Sequence, residues 1–182
     1  IRDQPRSRGL GDVYKRQLSG GIGIFNPKFP IYKSAEIVGE MEEKAKGYKR
    51  ENGREKDAIC FLGTVMGWEE FEKVKEQKEN LLELVENKKL SRSKLHFIVE
   101  MFELRERIKE AWKNKKEVNK EEMEKIINYE RWKWRLTYGL LKDLGKEEDT
   151  RSRIEKFLKF VEEYPHLFAV PARWVELLTR KT

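Results

Sequence analysis

A short segment of the chain, residues 129–135 (YERWKWR), interleaves basic side chains with aromatic rings. Such rings stack on unpaired bases while neighbouring cations neutralise phosphates, so this composition is typical of surfaces that bind single-stranded nucleic acid. Helical spacing favours a second interpretation, because Trp132 and Trp134 fall on two adjoining apolar stripes and would pack inside a bundle. We expect packing for both tryptophans, which leaves Arg131 and Arg135 as surface contacts to phosphate or to a partner.

Other residue types with catalytic potential are few and scattered. Residues 20–23 (GGIG) lie inside an apparent strand, whereas a phosphate loop needs its glycines between a strand and the start of a helix. Glycine within a strand instead indicates the close approach of another backbone or of a ligand. His96 and His166 are far apart, and Cys60 has no second thiol, so neither a zinc site nor a Cys-His pair is predicted. We therefore predict no catalytic residue and no metal ligand.

Composition sets the broad class. The chain has 182 residues, 40% of them charged and 38% hydrophobic, with a formal net charge of +7. Much of that excess, a net +3, lies in residues 1–17, and the rest of the chain is a nearly balanced mixture of Lys and Glu that is typical of solvated helix surfaces. No apolar run approaches the roughly 20 residues needed to cross a bilayer. A single cysteine implies no oxidising compartment, so the expected location is the cytoplasm.

Residues 1–17 (IRDQPRSRGLGDVYKRQ) show neither helical nor alternating apolar periodicity. The string resembles translated adapter sequence at the ends of reading frames assembled from metagenomic reads. We therefore expect a non-native tail, with the natural sequence continuing from near Leu18 and a preceding part lost. The other interpretation is a basic arm that contacts nucleic acid, but the basic residues are not clustered as such an arm requires.

The rest of the chain predicts an α+β protein in two parts. Residues 18–25 (LSGGIGIF) and 58–63 (AICFLG) are short and apolar, which favours strands, and apolar positions recur at helical spacing across residues 32–50. A β-α-β unit is expected there, followed after Gly63 by four or five helices and no further strand. The expected organisation is a tail, the β-α-β unit and an all-α bundle: residues 1–17, 18–66 and 67–182.

Several short motifs follow one another in a fixed order and spacing: Ser19–Ile24, Pro27–Pro30, Ala45-Lys46, Ala58–Phe61, Phe61-Leu62-Gly63 and Trp68–Phe71. In this order they resemble the C-terminal part of the large subunit of type III CRISPR-Cas effector complexes. The resemblance covers about residues 18–182. It implies that residues 18–66 are the end of a ferredoxin-like palm domain related to GGDEF-type nucleotide cyclases, and that the helices form the domain that follows the palm.

The resemblance also implies an activity for the parent protein. In that family the large subunit acts in antiviral defence as a nucleotidyltransferase, converting ATP into cyclic oligoadenylates when guide RNA pairs with target RNA. The reaction uses divalent metal, Mg or Mn, held by carboxylates of a GGDD hairpin. This sequence contains no GGDD. We therefore expect this chain alone to be inactive and to hold no cofactor.

Three residues of this chain match nucleotide-contacting positions of the related cyclases. The resemblance implies that Lys46 and Lys56 reach the triphosphate and that Ser19 lies near the nucleotide. Ammonium groups suit that role because they offset phosphate charge. The competing interpretation is that Lys46, among Lys44 and Lys49, belongs to an ordinary solvated helix end.

The implied partners are guide RNA, target RNA, the small helical subunits and the subunit that caps the end of the guide RNA, with no membrane. An alternative is a free-standing helical RNA-binding or scaffold module that resembles those small subunits. In either case the bundle contains basic positions that can meet a phosphate backbone: Lys88, Lys89, Arg92, Lys94, Lys113, Lys115 and Lys116.

Overall fold

A computed structural model describes residues 18–49, 57–113, 131–142 and 147–180. The chain divides into two compact units at the link between Glu69 and Glu70. The described residues form one three-stranded mixed sheet and six helices, which confirms the α+β class. The expected tail, residues 1–17, lies outside the described part. Within the described ranges, no helix combines the length and apolar character needed to span a bilayer.

The first unit is built on a β-α-β arrangement, as predicted. Strand β1 (Gly20–Ile22) pairs in parallel with β2 (Ala58–Phe61), and helix α1 (Ile31–Lys46) connects them. The two parallel strands are direct neighbours, with Gly20 opposite Ile59. In a ferredoxin-like sheet a further strand separates the strands of each β-α-β unit, and the described sheet does not show that separation.

A third strand, β3 (Thr64–Gly67), contradicts the expectation that no strand follows Gly63. It pairs antiparallel with β2, and the turn between the two strands is Leu62-Gly63. Both turn residues have positive φ, 49° for Leu62 and 79° for Gly63, the backbone twist that a tight two-residue hairpin requires. The strand order β1-β2-β3 places β1 at one edge of the sheet.

Helix α1 comes very close to strand β1 at Gly21. A Cβ atom added to Gly21 would lie 2.8 Å from the Cβ of Met41 and 2.9 Å from both the backbone N of Glu42 and the carbonyl O of Val38. Only glycine fits there, because two of those three atoms belong to the backbone of the helix. The expected close approach of another backbone is therefore confirmed at Gly21, whereas a Cβ on Gly20 would meet open space.

Small side chains continue this close packing along the helix. Ala45, in the last turn of α1, is buried together with Ala58 and Cys60 of β2, and Met41 and Val65 pack against this cluster. Burial raises the pKa of the Cys60 thiol, and the positive charge of Lys44 partly opposes that rise. Cys60 is therefore shielded as well as held in its less reactive thiol form.

The second unit contains only helices among its described residues. They are α2 (Trp68–Glu86, which begins just before the unit boundary), α3 (Arg92–Lys113), α4 (described at residues 131–142), α5 (Glu148–Glu163) and α6 (Ala169–Leu178). Phe168, just before α6, is fully buried and stacks on Trp132 with ring centroids 5.3 Å apart. The ring of Phe102 in α3 packs edge-on against the ring of Phe168, with the centroids 5.2 Å apart. One phenylalanine thus ties α3, α4 and α6 together.

Residue type predicts that the last two helices start at Thr150 and Pro171, and in the structure both start two residues earlier. Helix α5 begins at Glu148, two residues before the predicted Thr150. Helix α6 begins at Ala169, so Pro171 lies within its first turn, where proline removes no intrahelical hydrogen bond. Asn119 and Glu122, whose spacing predicts a capping box at the start of the third bundle helix, lie outside the described residues.

The contact at Gly21 predicts a large difference between two neighbouring substitutions. Gly21→Ala should destabilise the first unit by about 1–3 kcal/mol, because the helix backbone must move away. Cys60 is the one cysteine of the chain and is fully buried, so its alkylation by iodoacetamide reports opening of this unit. We expect alkylation about 5- to 150-fold faster than in the unmodified protein.

Gly20→Ala is the matched control. The added methyl meets no atom within 4 Å, so the alkylation rate should stay close to that of the unmodified protein. Equal rates for the two variants would contradict the close approach of β1 and α1.

Candidate nucleotide-phosphate site

The topology of the first unit brings two of the three expected site residues, Ser19 and Lys46, to one end. Strands β1 and β2 are parallel, so their starting residues are neighbours at the same edge of the sheet. Helix α1 returns between them in the opposite direction, and its last turn packs beside the start of β2 through Ala45 and Ala58. Ser19 precedes β1 and Lys46 ends α1, so both lie at this end of the unit.

Ser19 makes a contact that joins the two strand starts. Its Oγ accepts a hydrogen bond of 3.1 Å from the backbone N–H of Asp57, which directly precedes β2. Asp57 has a φ of 65°, a left-handed conformation that aspartate tolerates better than most residues. The hydroxyl of Ser19 keeps its own proton as a donor, so the same side chain can still hydrogen-bond an anion.

Lys46 is held by two carboxylates of its own helix. Its Nζ donates a hydrogen bond of 2.9 Å to Oε1 of Glu43 and lies 3.1 Å from Oε1 of Glu42. The hydrogen bond to Glu43, followed by that to Glu42, raises the pKa of Lys46 above its ordinary value of 10.5. The ammonium group therefore stays charged at neutral pH.

This setting agrees with the competing interpretation of Lys46 as an ordinary helix-end residue. Lys44 and Lys46 both lie in the last turn of α1, where cations interact favourably with the helix dipole. Ion pairs that face solvent are weak because water and salt screen them. Glu42 and Glu43 engage two of the three donors of the Lys46 ammonium group, and their negative charge opposes a phosphate at the same place.

Lys56, the third expected residue, lies outside the described residues. Its sequence neighbour Asp57 contacts Ser19, so the described chain resumes at the end of the unit where Ser19 and Lys46 lie. Asp57 itself was not predicted as part of this site. A left-handed aspartate just before a strand leaves only a weak trace in the sequence, and its contact with Ser19 spans 38 positions.

The described residues suit a phosphate group better than a metal ion. An ammonium and a hydroxyl at one end of the unit match the donors that phosphate accepts. Within residues 18–49, 57–113, 131–142 and 147–180, no group of three or more His, Cys, Asp or Glu side chains is arranged to hold a metal. No step through a metal is therefore assigned to the described residues.

The aromatic and basic segment divides into an inner and an outer face. Trp132 is buried against Phe168, as expected. Trp134 is 63% exposed, so the prediction that both tryptophans pack inside is wrong for this one. The bundle covers the stripe that contains Trp132 and leaves Trp134 and Tyr138 of the other stripe in solvent.

Several basic positions of the bundle already have partners. The ammonium of Lys89 binds the carboxylate of Glu147, and Nζ of Lys94 donates a hydrogen bond of 2.8 Å to the carbonyl O of Gly139. Lys115 and Lys116 lie outside the described residues, and the side chain of Lys113 is not described. Lys88 and Arg92 are exposed, so these two stay the predicted contacts to a phosphate backbone among the described positions.

Comparison with known protein families, with curated proteins and with solved structures gave no match to this chain.

The Lys46 geometry predicts the effect of two charge-removing substitutions. The pKa of Lys46 should lie above 10.5, and Glu43→Gln should lower it more than Glu42→Gln, because the Glu43 hydrogen bond is the larger cause. Because the pKa of Lys46 is raised in the folded state, the stabilisation from this ion pair is fully present below pH 10.5. The stabilisation is lost as the pH rises through the pKa that Lys46 has in the folded protein.

NMR titration of the lysine Cε and Hε signals measures the pKa in each variant. In Lys44→Gln the signals of Lys44 are missing, so this variant distinguishes them from those of Lys46, the other basic residue in the last turn of α1. A Lys46 pKa at or below 10.5, or a larger decrease from Glu42→Gln, would contradict the described pairing.

Proposed function

We propose that this chain is the C-terminal part of the large subunit of a type III CRISPR-Cas effector complex. The parent converts ATP into cyclic oligoadenylate messengers in antiviral defence. One observation carries the proposal: Ser19 and Lys46, named independently by the motif resemblance, lie at the same end of one β-α-β unit. Residues 27 positions apart in sequence need not lie at the same end of a unit, and the chemistry of these two suits a nucleotide phosphate.

The exposed side of the sheet gives further support. Ile22 and Ile24 are 45% and 54% exposed, and β1 lies at the edge of the described sheet. Apolar side chains on an edge strand invite pairing with another strand. In this proposal the parent supplies further strands that pair with the free edge of β1 and other apolar side chains that cover these two isoleucines, while β1 and β2 stay neighbours.

The proposal assigns limited chemistry to the described residues. ATP and two divalent ions, Mg or Mn, supply the reacting phosphate and its charge neutralisation when they are bound in the parent. Lys46 places a positive charge beside the triphosphate, and the hydroxyl of Ser19 donates a hydrogen bond to a phosphate oxygen. Lys56 is proposed to act with Lys46 as a second cation. The helices dock against the guide RNA, the target RNA and the small subunits.

The alternative proposal is a free-standing helical RNA-binding or scaffold module resembling the small subunits of the same complexes. The exposed ring of Trp134 favours it, because a solvent-facing tryptophan is a common element of RNA-binding surfaces. The two proposals differ in the role of Lys46, which has no function in a module of that kind.

Loss of Lys46 should separate messenger synthesis from RNA binding. In the complete effector complex, Lys46→Ala should reduce cyclic oligoadenylate production about tenfold or more, because a charge-assisted hydrogen bond to phosphate is removed. Target-RNA affinity should not change, since the contact is to nucleotide. Both quantities are measured on the same preparation, by chromatography of the products and by filter binding of labelled target RNA.

Lys44→Ala is the matched control for that experiment. Lys44 is an exposed lysine in the same helical turn, and the proposal gives it no phosphate contact, so synthesis should remain near the unmodified level. Unchanged synthesis in Lys46→Ala, or equal losses in the two variants, would remove Lys46 from the nucleotide site.

The chain on its own should bind ATP no more tightly than about millimolar. Solvent-exposed ammonium groups hold a triphosphate weakly in water, because the high dielectric and dissolved salt screen the attraction. Isothermal titration calorimetry with ATP, with and without Mg or Mn, measures the affinity. Micromolar binding by this chain alone would mean that its own residues form a complete nucleotide site.

A further inference from the structure

Helix α4 presents two aromatic rings to solvent on the face opposite its core contacts. Leu136 and Leu140 are fully buried with Trp132 and fix the inner face of the helix. On the outer face Trp134 is 63% exposed and Tyr138 is 49% exposed. The burial of the inner face fixes the orientation of the helix, and with it the direction of the exposed rings.

The two exposed rings form an ordered stack. Their centroids are 5.2 Å apart and their planes differ by 7°. The pair is four residues apart on the helix, so the backbone itself holds the rings in contact. Mutual stacking removes one face of each ring from water and leaves flat aromatic surface outside, which is the shape that an unpaired base covers.

Cations surround this stack. Nζ of Lys142 lies 5.4 Å from the centroid of the Tyr138 ring. Arg131 and Arg135 are exposed and stand three residues before Trp134 and Tyr138, so each occupies the same face of the helix as a ring. Residues 131–142 contain four basic residues and no Asp or Glu, although the bundle as a whole is nearly balanced in charge.

We propose that this face of α4 binds unpaired nucleotides of a single-stranded nucleic acid. The defining residues of this stacking face are Arg131, Trp134, Arg135, Tyr138 and Lys142. A base stacks on the outer surface of the ring pair, and the arginines and lysine contact the flanking phosphates. The inference goes beyond the proposed function and does not depend on it, because it uses only the second unit.

Charge and ring chemistry together favour nucleic acid over a protein partner. Tyr, Trp and Arg are common in protein interfaces as well, but residues 131–142 carry four basic and no acidic side chains, which matches the uniform negative charge of a phosphate chain. Lys133, on a different side of the same helix, is paired with Glu162 at 2.7 Å. The positive charge beside the rings thus complements a phosphate chain, and the uncharged rings complement its bases.

The first test uses fluorescence anisotropy with the full chain and labelled 12-nucleotide probes of RNA and of DNA. Trp134→Ala should weaken single-strand binding about 5- to 150-fold, because one base loses its stacking surface. Trp134→Phe keeps an aromatic face and should restore most of the affinity. Tighter binding of the RNA probe than of the DNA probe would identify RNA as the ligand, and the reverse order would identify DNA.

The second test separates stacking from charge. Trp134→Ala should leave the salt dependence of binding unchanged, whereas Arg135→Gln should reduce the slope of log K against log[salt] by about 0.7. Lys133→Gln is the matched control: it removes a basic charge two residues from Arg135, but one already neutralised by Glu162, so the slope should not change.

Three results would overturn the inference. The first is single-strand affinity unaffected by Trp134→Ala, and the second is binding of a 12-base-pair RNA duplex as tight as that of either single strand. The third is a loss of self-association in the double variant Trp134→Ala/Tyr138→Ala, measured by sedimentation, with nucleic-acid affinity unchanged. That last result would assign the stacking face to protein contacts.

Discussion

The close approach of β1 and α1 at Gly21 is the constraint on which the first unit depends. Because Gly21 has no side chain, the helix lies almost in contact with the strand backbone. That distance lets the short side chains of Ala45, Ala58 and Cys60 form the buried cluster at the helix end. Helix α1 ends one residue after this cluster, so Lys46 lies at the end of the unit where Ser19 lies.

The sequence predicts this unit well where the signals are local. The apolar strands and the helical periodicity between them follow from residue types and spacing. The glycines of residues 20–23 predict a close approach of a backbone or a ligand, and the structure shows that it is the backbone of α1, at Gly21. Strand β3 was missed because it has four residues and follows a turn that begins with Leu62, a residue type that rarely adopts positive φ. Strand β3 is stabilised by its backbone pairing with β2, and no local sequence pattern reveals that pairing.

The candidate sites show where periodicity stops being informative. Helical spacing places Trp132 and Trp134 on adjoining stripes, but only the bundle determines which stripe is covered. The contact of Ser19 with Asp57 depends on strand pairing across 38 positions and has no local trace. Ser19 and Lys46 were found through motif resemblance, and folding explains why two such distant positions share one end of the unit.

The genomic sequence upstream of the Leu18 codon tests the central claim most directly. If this chain is the C-terminal part of a type III CRISPR-Cas large subunit, the reading frame continues upstream into a palm domain that carries a GGDD hairpin. Sequencing the source DNA across the junction between Gln17 and Leu18 should show that frame. A start codon and translation signals immediately before Leu18 would contradict the account.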